Sequence, residues 1–356
     1  MSLSRFYLSL LLLLCVVQSW RPLGGGYDFW AHAAVGRWIA NHGQIPKHGL
    51  FLWSAPDFPW VYHSWVSQWL SYQLLAGVGP VGVMVFTALV VCLVFGLLWH
   101  FWNKRVHGEM PAVALLLFCV AILLSTPRFQ PRQELLTALL LVGFLIWLVS
   151  WNEQRTEETP ARHIPWLDKQ SLAIVALIAL WVNLHALVML AVGLLVITAG
   201  CDCLQYRFDR RARVLLLVAA LGCLATLLNP WGWGYWDATG QLRPGGQAAH
   251  IEEWMPVWTG WPAMRVFVIG ESILLIAAVW GWARNPSRRW AELLWLLFVG
   301  LLFLRSRRLM WILAIVCLVV MASNGRSFDS QQMWLRWRAF TRQTPEAMPA
   351  GMQRMA

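Results

Sequence analysis

Residues 79–101 read GPVGVMVFTALVVCLVFGLLWHF, an apolar stretch without an Asp, Glu, Lys or Arg. About 20 such residues, coiled as a helix, cross the hydrocarbon core of a bilayer. The segment predicts a membrane-spanning helix, and further apolar runs flank it. They occupy 6–20, 111–126, 135–151, 171–183, 186–202, 213–228, 265–283, 290–304 and 309–322. Together the runs predict an all-α, polytopic transmembrane bundle of about ten spans. Several are short for a core of about 30 Å, so broken or half-buried helices are expected among them. The stretch 171–202 is a single apolar run with Asn183 and His185 at its centre. Two helices meeting at a polar turn hide those groups better than one long helix does.

The composition of the whole 356-residue chain agrees. It is 59% hydrophobic and only 13% charged, against about 25% charged in a soluble domain. It is too apolar for a disordered chain. Seven cysteines are too sparse for a disulfide scaffold. All seven lie in or beside apolar runs and read as small core residues; Cys201 and Cys203 are too close together and too isolated for a zinc site. The 26 tryptophans suit anchors at two membrane interfaces.

The net charge of +11 comes mostly from short basic clusters between the runs. An excess of Lys and Arg on the cytoplasmic side explains them better than a nucleic-acid partner does. With both termini cytoplasmic, eighteen basic residues fall inside and ten outside. The first run carries Arg5 and a Leu-rich core but no cleavage signal, and reads as a retained helix. The expected organisation is a membrane domain over 1–326, with long outer loops at 21–78 and 229–264, and a basic cytoplasmic tail over 327–356. An integral membrane location is expected. Six of the nine histidines fall outside on this layout: His32, His42, His48, His63, His185 and His250. Chemistry is therefore expected on the outer face.

The first outer loop predicts a helix from Asp28 to about Asn41, with Asp28 as N-cap and Gly43 just past its end. Asp28 and His32 are four apart and share a helix face. Trp30 and Trp38 suit a helix lying along the membrane surface. A carboxylate beside an imidazole at the mouth of a membrane cavity also suits a general base or a metal ligand. Gly24–Gly26 reads as a hinge into this loop, because no strand precedes it to make a phosphate cradle. Walker, dinucleotide-binding, HExxH and Gly-x-Ser-x-Gly motifs are absent.

Several stretches carry a resemblance. They are Asp28-Phe29-Trp30-Ala31-His32, Gly36-Arg37-Trp38-Ile39, Gly43-Gln44-Ile45-Pro46 and Pro59-Trp60-Val61-Tyr62-His63-Ser64-Trp65 in the first loop. Pro131-Arg132-Gln133, Trp181-Val182-Asn183-Leu184-His185, Leu228-Asn229-Pro230-Trp231-Gly232 and Ile251-Glu252-Glu253-Trp254-Met255-Pro256 follow. In order and placement, over roughly 20–320, the chain resembles the GT-C superfamily of membrane glycosyltransferases. Ser64 stands where that group often has an acid.

The resemblance implies a glycosyltransferase that moves a sugar from a polyprenyl-phosphate-linked donor to an acceptor on the outer face, with inversion. Asp28 matches the first-loop Asp of the superfamily and Glu253 its Glu-Trp pair, so these two are the catalytic candidates. Arg305, Arg307 and Arg308, with Arg128 and Arg132, are candidates to hold the donor phosphate, because positive charge stabilises that leaving group. His32, His63, Asn183, His185 and Glu252 complete the substrate-binding set, and Glu271 is expected to pair with an arginine. A divalent cation is an open cofactor choice. The implied partners are membrane lipid and the lipid-linked donor, with neither nucleic acid nor a soluble partner. Two alternatives stand beside this reading. One is a non-catalytic GT-C-fold accessory of envelope polysaccharide assembly. The other is a transporter of a lipid-linked solute, which would place its ionisable residues near the midplane.

Overall fold

The computed structural model describes residues 3–23, 27–55, 57–105, 112–153, 167–241, 251–259 and 261–325. The Gly24–Gly26 hinge, His250 and the tail 327–356 lie outside them. All the longer elements are helices: α1 (Leu3–Ser19), α2 (Tyr27–His42), α3 (Trp65–Arg105), α4 (Ala112–Ser125), α5 (Gln133–Glu153) and α6 (Lys169–Trp181), then α7 (Val188–Gln205), α8 (Arg210–Ala225), α9 (Trp233–Gln241), α10 (Trp261–Arg284), α11 (Trp290–Arg305) and α12 (Met310–Ser323). Extended pairing among the described residues is limited to one bridge, His48 to Pro59.

Among the described residues, five helical stretches are long and apolar enough to cross a membrane: Trp65–Arg105, Gln133–Trp151, Val188–Gln205, Arg210–Leu228 and Met264–Arg284. Their outward faces explain the hydrophobic excess. Leu89, Leu116, Ile276 and Leu301 all stand largely exposed on the bundle exterior. Hydrocarbon, not water, is the solvent such a surface suits, and the chain reads as an integral membrane protein. The inner face of the bundle is organised around α12. Every residue from Met310 to Ala322 is buried, with α3, α4, α5, α10 and α11 packed around it. A helix that is apolar all round belongs in such a centre.

Local chemistry sets the breaks. Gly79 adopts φ +67° and ψ −178° inside α3, a conformation open essentially to glycine alone, and Pro80 restarts the helix behind it. The apolar segment 80–105 is thereby separated from the polar-faced segment 65–78, on which α2 packs. The run 171–202 is broken between α6 and α7, with Asn183 and His185 in the turn.

Two expectations need correction. Asp28 lies within the first turn of α2, since helix begins at Tyr27, so it is not the N-cap. A carboxylate there still complements the positive end of the helix. Among the described residues, Glu271 pairs with no arginine. It is buried on α10 with neither oxygen hydrogen-bonded, close to Cys317 of α12 rather than at the helix ends where the arginines gather.

Candidate functional site

The helix ends on the α2 side of the bundle are stitched together by side chains bonding to backbone. Asn229, after α8, donates to the carbonyls of His63 and Val182, both at 3.0 Å. Trp65 Nε1 donates to Asn183 Oδ1 at 2.8 Å, and Ser67 Oγ donates to the Leu184 carbonyl at 2.7 Å. The start of α3 is thus fastened to the α6–α7 turn, which puts His63 near His185. A second seam joins the segment before α10 to the α11–α12 junction. Val257 N–H donates to Leu304 O and Arg307 N–H to Met255 O, each at 3.2 Å. This seam fixes Glu253.

Between the seams sits a cluster of arginines and carboxylates. Arg132 donates to Glu253 at 2.5 Å and pairs with Asp28 at 3.3 Å. Arg128 donates to the other Glu253 oxygen at 2.7 Å and lies 3.6 Å from Glu134. Glu134 also pairs with Arg308. Arg308 reaches His185 Nε2 at 3.3 Å and lies over the Trp254 ring at 5.0 Å. His32 approaches from α2, accepting at Nδ1 from Gln68 Nε2 at 3.2 Å. Residues from five separated stretches therefore converge: the first loop, the α4–α5 turn, the α6–α7 turn, the pre-α10 segment and the α11–α12 junction.

The electrostatics follow from burial and these partners. Burial works against the charge on Glu253, but Arg128 and Arg132 outweigh it and hold the carboxyl down at about 2. His63 is pushed down to about 4 by burial, with Arg308 adding to the effect. His32 also falls to about 4 through burial; the nearby Asp28 opposes the shift, while His63, Arg308 and Arg132 add to it. His185 drops well below the ordinary range through burial and then Arg308. A guanidinium can only donate, so His185 accepts at Nε2 as a neutral ring. The three imidazoles are neutral and face fixed cations. Among the described residues, no group of three or more His, Cys, Asp or Glu is placed to hold a metal ion.

Against protein-family models, curated proteins and solved structures, the chain matches none.

The site residues expected from sequence divide into two sets. Asp28, His32, His63, Arg128, Arg132, His185, Glu253 and Arg308 come together. Arg305, Arg307, Glu252 and Asn183 do not join them. Arg305 ends α11 on the exposed surface. Arg307 is buried and spends its donors on Glu252, Pro256 and Thr259, which makes it a staple for the pre-α10 segment. Glu252 is exposed and serves only as the outer end of that staple. Asn183 bonds Trp65 and the carbonyls of Ala179 and Leu228, closing the α6 end. The Glu253 carboxylate, held at about 2 between two arginines, is a weak proton acceptor, and its two oxygens are bonded to Arg128 and Arg132.

Two residues were missed. Glu134 is 1% exposed and links Arg128 to Arg308; an acid opening an apolar run just after two arginines was its signal. Tyr235 packs its ring edge-on to His63, with centroids 6.2 Å apart. Its hydroxyl is buried without a hydrogen-bond partner among the described residues. A cavity of about 400 Å³ is lined by Phe129, Gln130 and Pro131, which lie between the two site arginines in sequence, and by Arg21, Met84 and Thr87.

Proposed function

We propose that this chain is a GT-C-type glycosyltransferase of a bacterial plasma membrane. It has about ten spans and cytoplasmic termini, and takes sugar from a polyprenyl-phosphate-linked donor at the outer face. One observation carries the reading: Arg132 pairs at once with Asp28 and Glu253. The acids of two distant loops thereby meet a cation suited to a phosphate.

The three arginines are already matched by Asp28, Glu134 and Glu253, so an arriving phosphate must displace a carboxylate. The weakest held is Asp28, whose side chain is 55% exposed and whose contact with Arg132 is 3.3 Å. Donor phosphate on Arg132 would release Asp28 toward the acceptor. The acceptor hydroxyl then gives its proton to Asp28 while its oxygen bonds the anomeric carbon from the face opposite the phosphate. The anomeric C–O bond breaks, its electron pair stays on the phosphate oxygen, and the arginines stabilise the departing anion. The cavity beside Phe129–Pro131 leaves room for the donor.

The test is Asp28→Asn in proteoliposomes supplied with radiolabelled polyprenyl-phosphate hexoses and pentoses. Loss of a positioned base lowers transfer by about 10²–10⁴-fold, with donor binding retained. Transfer at the parental rate by a folded Asp28→Asn protein would overturn the assignment. Donor binding without transfer by the parent protein would favour the non-catalytic accessory reading, which the full charge compensation of the cluster also suits.

A further inference from the structure

The opposite end of the bundle holds a larger cavity, about 720 Å³, where α3, α5 and α12 end and α10 turns into α11. Its floor is polar and closed. Glu292, 2% exposed, accepts from Ser323 Oγ at 2.5 Å and Asn324 Nδ2 at 2.9 Å. Asn324 Oδ1 in turn accepts from Asn285 Nδ2 at 2.7 Å. Both oxygens of this carboxylate, the one acid among the described lining residues, are thus engaged. Lys104, Arg105 and Arg289 also line the cavity, so among the described lining residues cations outnumber the acid. Leu97, Phe101 and Ile146 make one wall apolar.

The depth of this cavity is marked by its surroundings. Arg105 lies over Phe101 at 4.1 Å, Arg284 over Trp280 at 4.8 Å and Arg288 over Trp282 at 5.5 Å. Arg211 and Trp151 meet at 5.9 Å at the same end. Arginines layered with aromatic rings around the helix ends form the belt expected at headgroup level. A cavity at that level, with cations and apolar side chains together in its lining, matches a phosphate ester with a hydrocarbon part. Its volume lies in the range of small-molecule pockets and far exceeds what a bare anion fills.

We propose that this cavity is a second binding site, separate from the Asp28 cluster, and that it takes a phosphate ester: the headgroup of an anionic phospholipid or a soluble phosphorylated molecule. The experiment is thermal unfolding of the full-length protein in neutral detergent. The probes are phosphatidylglycerol, phosphatidylcholine of the same acyl chains, and inorganic phosphate. Phosphatidylglycerol should raise the unfolding temperature and phosphatidylcholine should not. Lys104→Gln alone, at an exposed position, should weaken half-saturation, and Lys104→Gln with Arg289→Gln should weaken it about tenfold or more. If inorganic phosphate gives the same variant-sensitive protection and competes with phosphatidylglycerol, the ligand is the soluble ester; if it does neither, the ligand is the lipid. Equal protection by both lipids, protection by neither phosphate source, or an unchanged response in both variants would overturn the proposal. None of these outcomes depends on glycosyl transfer.

Discussion

Glu134 is the residue on which the site's geometry depends most. It touches two arginines from elements that are far apart in sequence, and water does not reach it. Removing one member of a buried charge group leaves the others uncompensated, typically at about 3–5 kcal/mol. Glu134→Gln should therefore lower the unfolding temperature and loosen Arg308, whereas Glu252→Gln, at the exposed rim, should change stability by under about 1 kcal/mol. Thermal melts of the two variants side by side check this. The histidines make a pH prediction of definite sign. His32 and His63 fall from an ordinary 6.5 to about 4 in the folded protein, so the unfolded chain takes up protons that the folded one refuses. Stability is complete above about 6.5 and declines as pH drops toward 4. Glu253, held at about 2, contributes fully above about 4.5, and its contribution is lost as pH falls from there toward 2. Acid unfolding that starts below pH 4, with no slope between 6.5 and 4, would contradict the burial of these rings.

Helix α2 earns its position through one close approach. A Cβ placed on Gly36 would stand 2.1 Å from the Gln68 carbonyl oxygen and 2.9 Å from Tyr72 Cβ. The two backbones touch there, and the same contact delivers His32 to Gln68. Gly36→Ala must lift α2 off α3, an overpacking effect of about 1–3 kcal/mol, and should displace His32 from the cluster. Gly143, on the exposed face of α5, has open space around its would-be Cβ. Gly143→Ala should be neutral or stabilising by up to about 1 kcal/mol. Melting temperatures of both variants, with donor binding measured for Gly36→Ala, separate close packing from general intolerance of α2 and α5 to change.

For the whole molecule, the alternating helix ends sort the charges. The acid–arginine cluster gathers at one end and the arginine–aromatic belt at the other. On the proposed orientation Lys47 faces outward and Arg288 faces the cytoplasm. In a background with the seven cysteines replaced, a membrane-impermeant thiol reagent should label Lys47→Cys in intact cells and Arg288→Cys only after the membrane is opened. The reverse pattern would invert the protein and move the Asp28 cluster inside.

Apolar runs without charges announce helices because a bilayer permits little else, and every run read from the sequence has a helix at its core. The break at Asn183–His185 was legible for the same reason, as polar groups in an apolar run demand a turn. Asp28, Arg128, Arg132 and Glu253 were legible as ionisable groups at one end of those runs. The pairing among them was not. Arg307 and Arg308 are adjacent in sequence and chemically identical, yet one staples a loop and the other enters the cluster. A helix junction sends consecutive side chains in different directions, and only the packing of α11 and α12 against the pre-α10 segment decides which is which. The weak basicity of Glu253 has a related origin. A carboxylate's basicity is set by the cations within a few ångströms, and those arrive from the α4–α5 turn, more than a hundred residues away along the chain.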